Sequence, residues 1–282
     1  MNNEQNAALS PAVDPVYLRI DASRFCRQLL IACISVECMS FYLDYHINYC
    51  ELFGDIHFNN LFNTAKENSI PSWLSIVQTL MVGLTVWAIW FVAKLQGKRR
   101  LVLLGWMMVA SAFTYLAMDD GSEIHERLGT DFSDNFDTGE NDSWFPSYGW
   151  QAAFLPFFGT GALFVMGFLW VQLKASGRRW MVFAAVGCFV FAVSLDFIEG
   201  LESDHPWNAY TIIADNWDIE DFTRSSFDVE PFDALRHFSK SLEECTEMLG
   251  MSLFWYVFMS HLLATSPDLQ IVKTDTGTSG DD

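Results

Sequence analysis

Apolar residues in this chain come in long blocks rather than at the alternating spacing of strands or the one-sided spacing of soluble helices. Six blocks approach the length of about 20 helical residues that a bilayer core of roughly 30 Å requires. They run Arg24–Tyr45, Trp73–Ala93, Leu101–Met118, Trp150–Val171, Trp180–Ile198 and Leu242–Thr265. The pattern predicts an all-α integral membrane protein with six transmembrane helices. Polar segments 46–72, 119–149 and 200–241 alternate with short basic connections, and residues 24–265 read as one membrane domain. The ends, 1–23 and 266–282, are polar and read as disordered tails.

Positive residues in short loops stay on the cytoplasmic side. Lys94, Lys98, Arg99 and Arg100 lie between the second and third blocks, and Lys174, Arg178 and Arg179 between the fourth and fifth, with no acid among either set. Both connections are therefore expected inside, and with six spans both termini are cytoplasmic too. Arg19, Arg24 and Arg27 around the first helix agree. That helix, full length and preceded by a polar stretch, reads as an uncleaved anchor. The expected location is the plasma membrane, a bacterial inner membrane, with the lipid bilayer as first partner.

Charge adds a second pattern to this topology. The net charge is −19, and nearly all the acid falls in the segments expected outside. Between Asp119 and Asp142 there are nine acids against Arg127 alone, and between Asp196 and Glu247 fourteen against Arg224, Arg236 and Lys240. These acidic extracytoplasmic loops repel nucleic acid and attract cations or basic surfaces. Most of them serve as a solvated face. Asp131, Asp134, Asp137, Glu140 and Asp142 could chelate calcium, but their spacing is not that of an EF-hand. The segment after Gly200 carries Trp207, Tyr210, Trp217, Phe222 and Phe227 among its acids, which suits a packed cap better than a loose loop. Trp73, Trp144, Trp150, Trp180, Trp207 and Trp255 fall towards the expected membrane boundaries, where tryptophan anchors. The six cysteines form no CxxC pair and behave as small apolar groups.

Acids within the apolar blocks carry more information, because a charge in a membrane helix costs about 2.5 to 3.5 kcal/mol to insert. Asp119, Glu123 and Glu126 are spaced i, i+4 and i+7 at the end of the third block, on one stripe, with Asp120 and His125 pointing elsewhere. His125 is either a ligand or a structural hydrogen-bonder. Asp196 and Glu199 share a face at the end of the fifth, which Glu202 and His205 would extend were it not for Gly200 and Pro206. Glu243 and Glu247, with Glu244 beside them, open the sixth. In the first, Glu37 lies among apolar residues and shares a face with Asp44.

At about 1.5 Å rise per residue, Asp196 stands roughly 24 Å above the inner end of its helix, and Asp119 and Glu247 roughly 27 Å above theirs. Glu37 lies about one turn lower, at roughly 20 Å. Four helices thus offer carboxylates to one layer of the outer leaflet. Arg127 is the one base close to them in sequence, so the pattern calls for a bound cation or for protonation.

Oxygen-rich sites suit magnesium, calcium or manganese, and iron if His125 or His205 contributes. The layout is similar to that of carboxylate-bridged di-iron and di-manganese bundles, although here Glu202 and His205 alone have the Glu-x-x-His spacing those sites use twice. The expected metal set is Asp119, Glu123, Glu126, Asp196, Glu199, Glu243 and Glu247, with His125 as ligand or shuttle and Glu37 as a deeper acid. Three functions follow from such a layer. The first is a membrane metalloenzyme that activates water or oxygen against a lipid-like or small apolar substrate. The second is a cation or proton transporter, and the third a non-catalytic assembly or sensor subunit. No motif identifies a protein partner.

Overall fold

A computed structural model describes residues 21–52, 56–124, 127–128 and 145–266. Those residues form helices and their connections, with no strand. The main helices are α1 Ala22–Leu43, α2 Ile70–Leu95, α3 Arg100–Asp120, α4 Gly149–Gln172, α5 Trp180–Glu199, α6 Ala209–Asn216, α7 Glu220–Phe227 and α8 Pro231–Thr265.

Local chemistry starts several of these helices. The Asp21 carboxylate accepts a hydrogen bond from the backbone N–H of Arg24 and caps α1. Ser69 does the same for α2 through the Ser72 N–H, with proline in its first turn, and Asn208 caps α6 through the N–H groups of Tyr210 and Thr211. At the end of α1 the coil widens to π geometry over Asp44–Tyr49. Pro231 opens α8, where its fixed φ suits a helix and its missing N–H costs nothing. The last helix therefore begins eleven residues before the expected Leu242, inside the segment expected to be a loop.

Among the described residues, five helical stretches are long and apolar enough to cross a membrane: Ala22–Tyr49, Ile70–Leu95, Arg100–Asp120, Trp180–Glu199 and Pro231–Thr265. In α4 the described residues hold a shorter apolar stretch, Gly159–Gln172, with Pro156 just before it.

Helix α8 is the hub. It packs along α5, α1 and α2, while α3 pairs with α2 and α4 lies against α5. The core at the hub joins Val82, Val86 and Ile89 of α2, Trp106, Val109 and Phe113 of α3, and Val182 and Ala185 of α5. Met251, Phe254, Val257 and Phe258 of α8 complete it. Around this core, Ile31, Met39, Leu84, Leu104, Leu163 and Val190 face outwards. Large apolar side chains exposed in such number are costly in water, and against lipid they cost nothing. Helices α6 and α7 both pack on the first turns of α8, so part of the 200–241 segment is a helical cap.

The expected ligands His125 and Glu126 lie outside the described residues, as do Asp131, Asp134, Asp137, Glu140 and Asp142. Residues 1–20 and 267–282 do so as well.

Candidate functional site

The close packing of α8 on α5 brings the last turn of α5 beside the third and fourth turns of α8. Asp196, Glu199 and Glu243 meet there, each offering a carboxylate oxygen within 4.8 Å of the other two. Asp196 and Glu243 are buried, and Glu199 is largely so. Two ligands on opposite sides of one ion stand apart by twice the bond length, about 4.1 Å for magnesium and about 4.6 to 5.2 Å for calcium. Three oxygens at this spacing could hold a metal ion.

Neighbouring groups hold the cluster in place. Gln151, buried near the start of α4, donates from Nε2 to Asp196 Oδ2 at 2.8 Å. Just before it, the Ser147 hydroxyl donates to the Phe197 carbonyl at 2.8 Å. Segment 145–151 thus closes over the end of α5. Gly200 permits this approach, since a Cβ there would fall on Ser147 Oγ and lie 2.9 Å from the Tyr148 backbone nitrogen. Burial, followed by the charges of Glu199 and Asp196, pushes the Tyr148 phenol up from its ordinary value, so it stays a hydrogen-bond donor beside them.

Two bases of the segment expected to be a loop also stand here. Arg236 holds Glu199 Oε1 at 3.2 Å. Lys240 Nζ lies 2.8 Å from Glu243 Oε1, 3.8 Å from Glu244 Oε1 and 3.9 Å from Asp196 Oδ1. The expectation that Arg127 is the one nearby base is therefore corrected: α8 runs on above Glu243 for three turns and carries its own counter-charges. Extending that helix back to Pro231 would have found them, because Arg236, Lys240 and Glu243 or Glu244 recur at i, i+4 and i+7 or i+8. The carboxylates still outnumber the bases, a surplus that protonation or a bound cation would relieve. Asp196, Glu199, Glu243, Glu244 and Glu247 are five carboxylates against these two bases. Glu199 Oε2 and Glu243 Oε2 are buried with no hydrogen-bond partner.

The other expected residues are placed as follows. Glu247 lies within electrostatic reach of Asp120, Glu243 and Asp196, so α3 meets the layer through Asp120. Asp119 is buried and hydrogen-bonded with Tyr115, one turn earlier in α3. The regular helix stops at Asp120 and Glu123 adopts a left-handed φ of 52°, which breaks the expected stripe from Asp119 through Glu123. Glu123 instead pairs with Arg127 at 3.4 Å and lines a cleft of about 260 Å³ with Glu67, Trp73 and Asp120.

Glu37 forms a separate node. Its Oε1 accepts from the Ser252 hydroxyl at 2.5 Å and from Gln78 Nε2 at 3.2 Å, which ties α1, α2 and α8 together. Asp44 forms another. Asn48, Thr64 and Ser241 donate to it at 2.9, 2.7 and 2.7 Å, and His237 Nε2 lies 3.2 Å away. Both acids accept hydrogen bonds from other helices or segments and read as interhelical locks.

These features define a class: a protein all-helical among the described residues, with apolar helices of membrane length and a buried carboxylate cluster that could hold a metal ion. Within that class the chain belongs to the family described as "Domain of unknown function (DUF8692)", which matches residues 51–262. The match takes in every residue of the Asp196, Glu199 and Glu243 cluster and leaves out α1 with Glu37 and Asp44. No curated protein and no solved structure matches the chain significantly.

Proposed function

We propose that this protein is a multi-pass plasma-membrane protein, crossing six times with both termini inside, that binds a divalent cation in its outer leaflet through Asp196, Glu199 and Glu243. The observation that carries the reading is the pair of buried oxygens without partners, Glu199 Oε2 and Glu243 Oε2, in a group whose ligand atoms lie within 4.8 Å of one another. An acceptor left unsatisfied in a dry site costs about 1 to 3 kcal/mol, and more for a charged group. A cation between them removes that cost.

The donor set is all oxygen and favours calcium, magnesium or manganese. Glu247, with Asp120 beyond it, extends the negative field towards α3. The chemistry such an ion would supply, polarising a bound water or oxygen species, fits a metalloenzyme acting on a lipid-like or small apolar substrate. The apolar helix faces around the cluster would deliver such a substrate from the bilayer. In the transporter reading Glu37 would serve as an inner relay, but its engagement by Ser252 and Gln78 favours a fixed role instead.

A ligand that binds only the folded state raises its stability by about 2.7 kcal/mol at one hundred times its Kd. Manganese, calcium or magnesium should therefore raise the apparent Tm of the detergent-solubilised protein, and Asp196→Asn or Glu243→Gln should abolish the shift. Equal shifts in wild type and both variants would remove the cluster from the account.

A further inference from the structure

The Lys240 ammonium stands against two of the carboxylates that would hold the cation, close enough to repel an ion on them. Its Nζ sits 2.8 Å from Glu243 Oε1 and 3.9 Å from Asp196 Oδ1, on the same two groups that the proposed cation would use. A strongly bound ion and an ammonium cannot both be in contact with these oxygens without repelling each other.

The lysine also has somewhere to go. Glu244 follows it by one helical turn, with Oε1 already 3.8 Å from Nζ and about a quarter of its side chain exposed. The Lys240 side chain is itself 22% exposed, and its four-carbon stem is flexible. Moving Nζ onto Glu244 frees Glu243 and Asp196 while the ammonium remains paired. Arg236 differs, because its guanidinium is engaged with Glu199 Oε1 through both Nε and Nη2, at 3.3 and 3.2 Å.

We infer that Lys240 is a tethered competitor for the cation site, one that exchanges from Glu243 and Asp196 to Glu244 as a divalent ion enters. The inference rests on the cation reading above and adds a specificity determinant to it. A monovalent ion gains no charge over the resident ammonium and has no means of displacing it, whereas a divalent ion does. The lysine would thus set a threshold for loading and select for double charge.

The test is a titration of purified protein in detergent with Mn²⁺, followed by the loss of free-ion EPR signal, at fixed pH and ionic strength. Lys240→Met should bind Mn²⁺ about tenfold more tightly than wild type or better, since removing a like charge at contact distance is worth at least that much. Glu243→Gln in either background should weaken binding. Equal or weaker binding by Lys240→Met, with the Glu243 dependence intact, would overturn the competitor role alone. Binding that ignores Glu243 in both backgrounds would overturn the cation reading itself.

A second measurement needs no variant. Amine labelling of wild-type Lys240, read by peptide mass spectrometry, should rise when Mn²⁺ is added and the ammonium moves outward. Unchanged labelling at saturating Mn²⁺ would contradict the exchange.

Discussion

Replacing Gly200 by alanine adds one methyl group at the point where segment 145–151 closes over the end of α5. Gly200 has φ −72°, which any residue adopts, so the glycine is there for space and not for conformation. The new Cβ would fall on Ser147 Oγ and lie 2.9 Å from both the Tyr148 backbone nitrogen and its ring. A ring can turn aside, but the backbone can yield only by moving the segment.

Overpacking of this kind costs about 1 to 3 kcal/mol. Displacement also strains the Ser147 to Phe197 and Gln151 to Asp196 hydrogen bonds, each worth about 0.5 to 1.5 kcal/mol. Against this, alanine reduces the freedom of the unfolded chain, a gain of about 0.4 to 1 kcal/mol. The net expectation is a loss of about 2 kcal/mol, or roughly 4 to 8 °C in apparent Tm. The assay is thermal unfolding in detergent, with Gly159→Ala as control. Gly159 lies within α4 with open space around its Cβ position, so alanine there should be neutral or stabilising by up to about 1 kcal/mol. An apparent Tm for Gly200→Ala at or above wild type would refute the close approach of segment 145–151 to α5.

The two interhelical locks make separate predictions. Glu37→Ala strips the buried Ser252 hydroxyl of its acceptor, while Gln78 keeps Ser252 Oγ and the Met248 carbonyl. The change should cost about 1 to 3 kcal/mol, whereas Glu37→Gln keeps an acceptor oxygen and should cost less. Equal Tm losses would show that the carboxylate's hydrogen bonds are not what matters there. Asp44→Ala removes the common partner of Asn48, Thr64 and Ser241 beside His237, and as the loss of a buried charged acceptor it should cost about 3 to 5 kcal/mol. A cost below about 1 kcal/mol on chemical denaturation would deny it that role.

The apolar helices were legible because a bilayer demands block hydrophobicity, which survives any detail of packing. The Asp196 and Glu199 pair was legible for a local reason, since i, i+3 spacing at the end of a regular helix leaves one arrangement. Glu243 came with it from the same kind of spacing. Three features were hidden, each with a physical cause. Lys240 and Arg236 sit in helical turns too polar to read as membrane span, and only Pro231 at the first position marks where α8 starts. On α3 the stripe through Asp119 and Glu123 assumed a helix that runs on, but the helix stops at Asp120, and it is Asp120 that lies within reach of Glu247. Gln151 reaches Asp196 across 45 residues, and Ser252 reaches Glu37 across 215; no local pattern encodes such partners.

The central claim is that these carboxylates hold a divalent ion, and the most direct measurement is the metal content of the purified full chain. Elemental mass spectrometry should find a bound divalent metal in wild type after exhaustive dialysis. The content should fall to background in Asp196→Asn and in Glu243→Gln, and persist in Glu37→Gln. The same content in wild type and both cluster variants, or no divalent metal in any of them even after incubation with Mn²⁺ and Ca²⁺, would contradict the account.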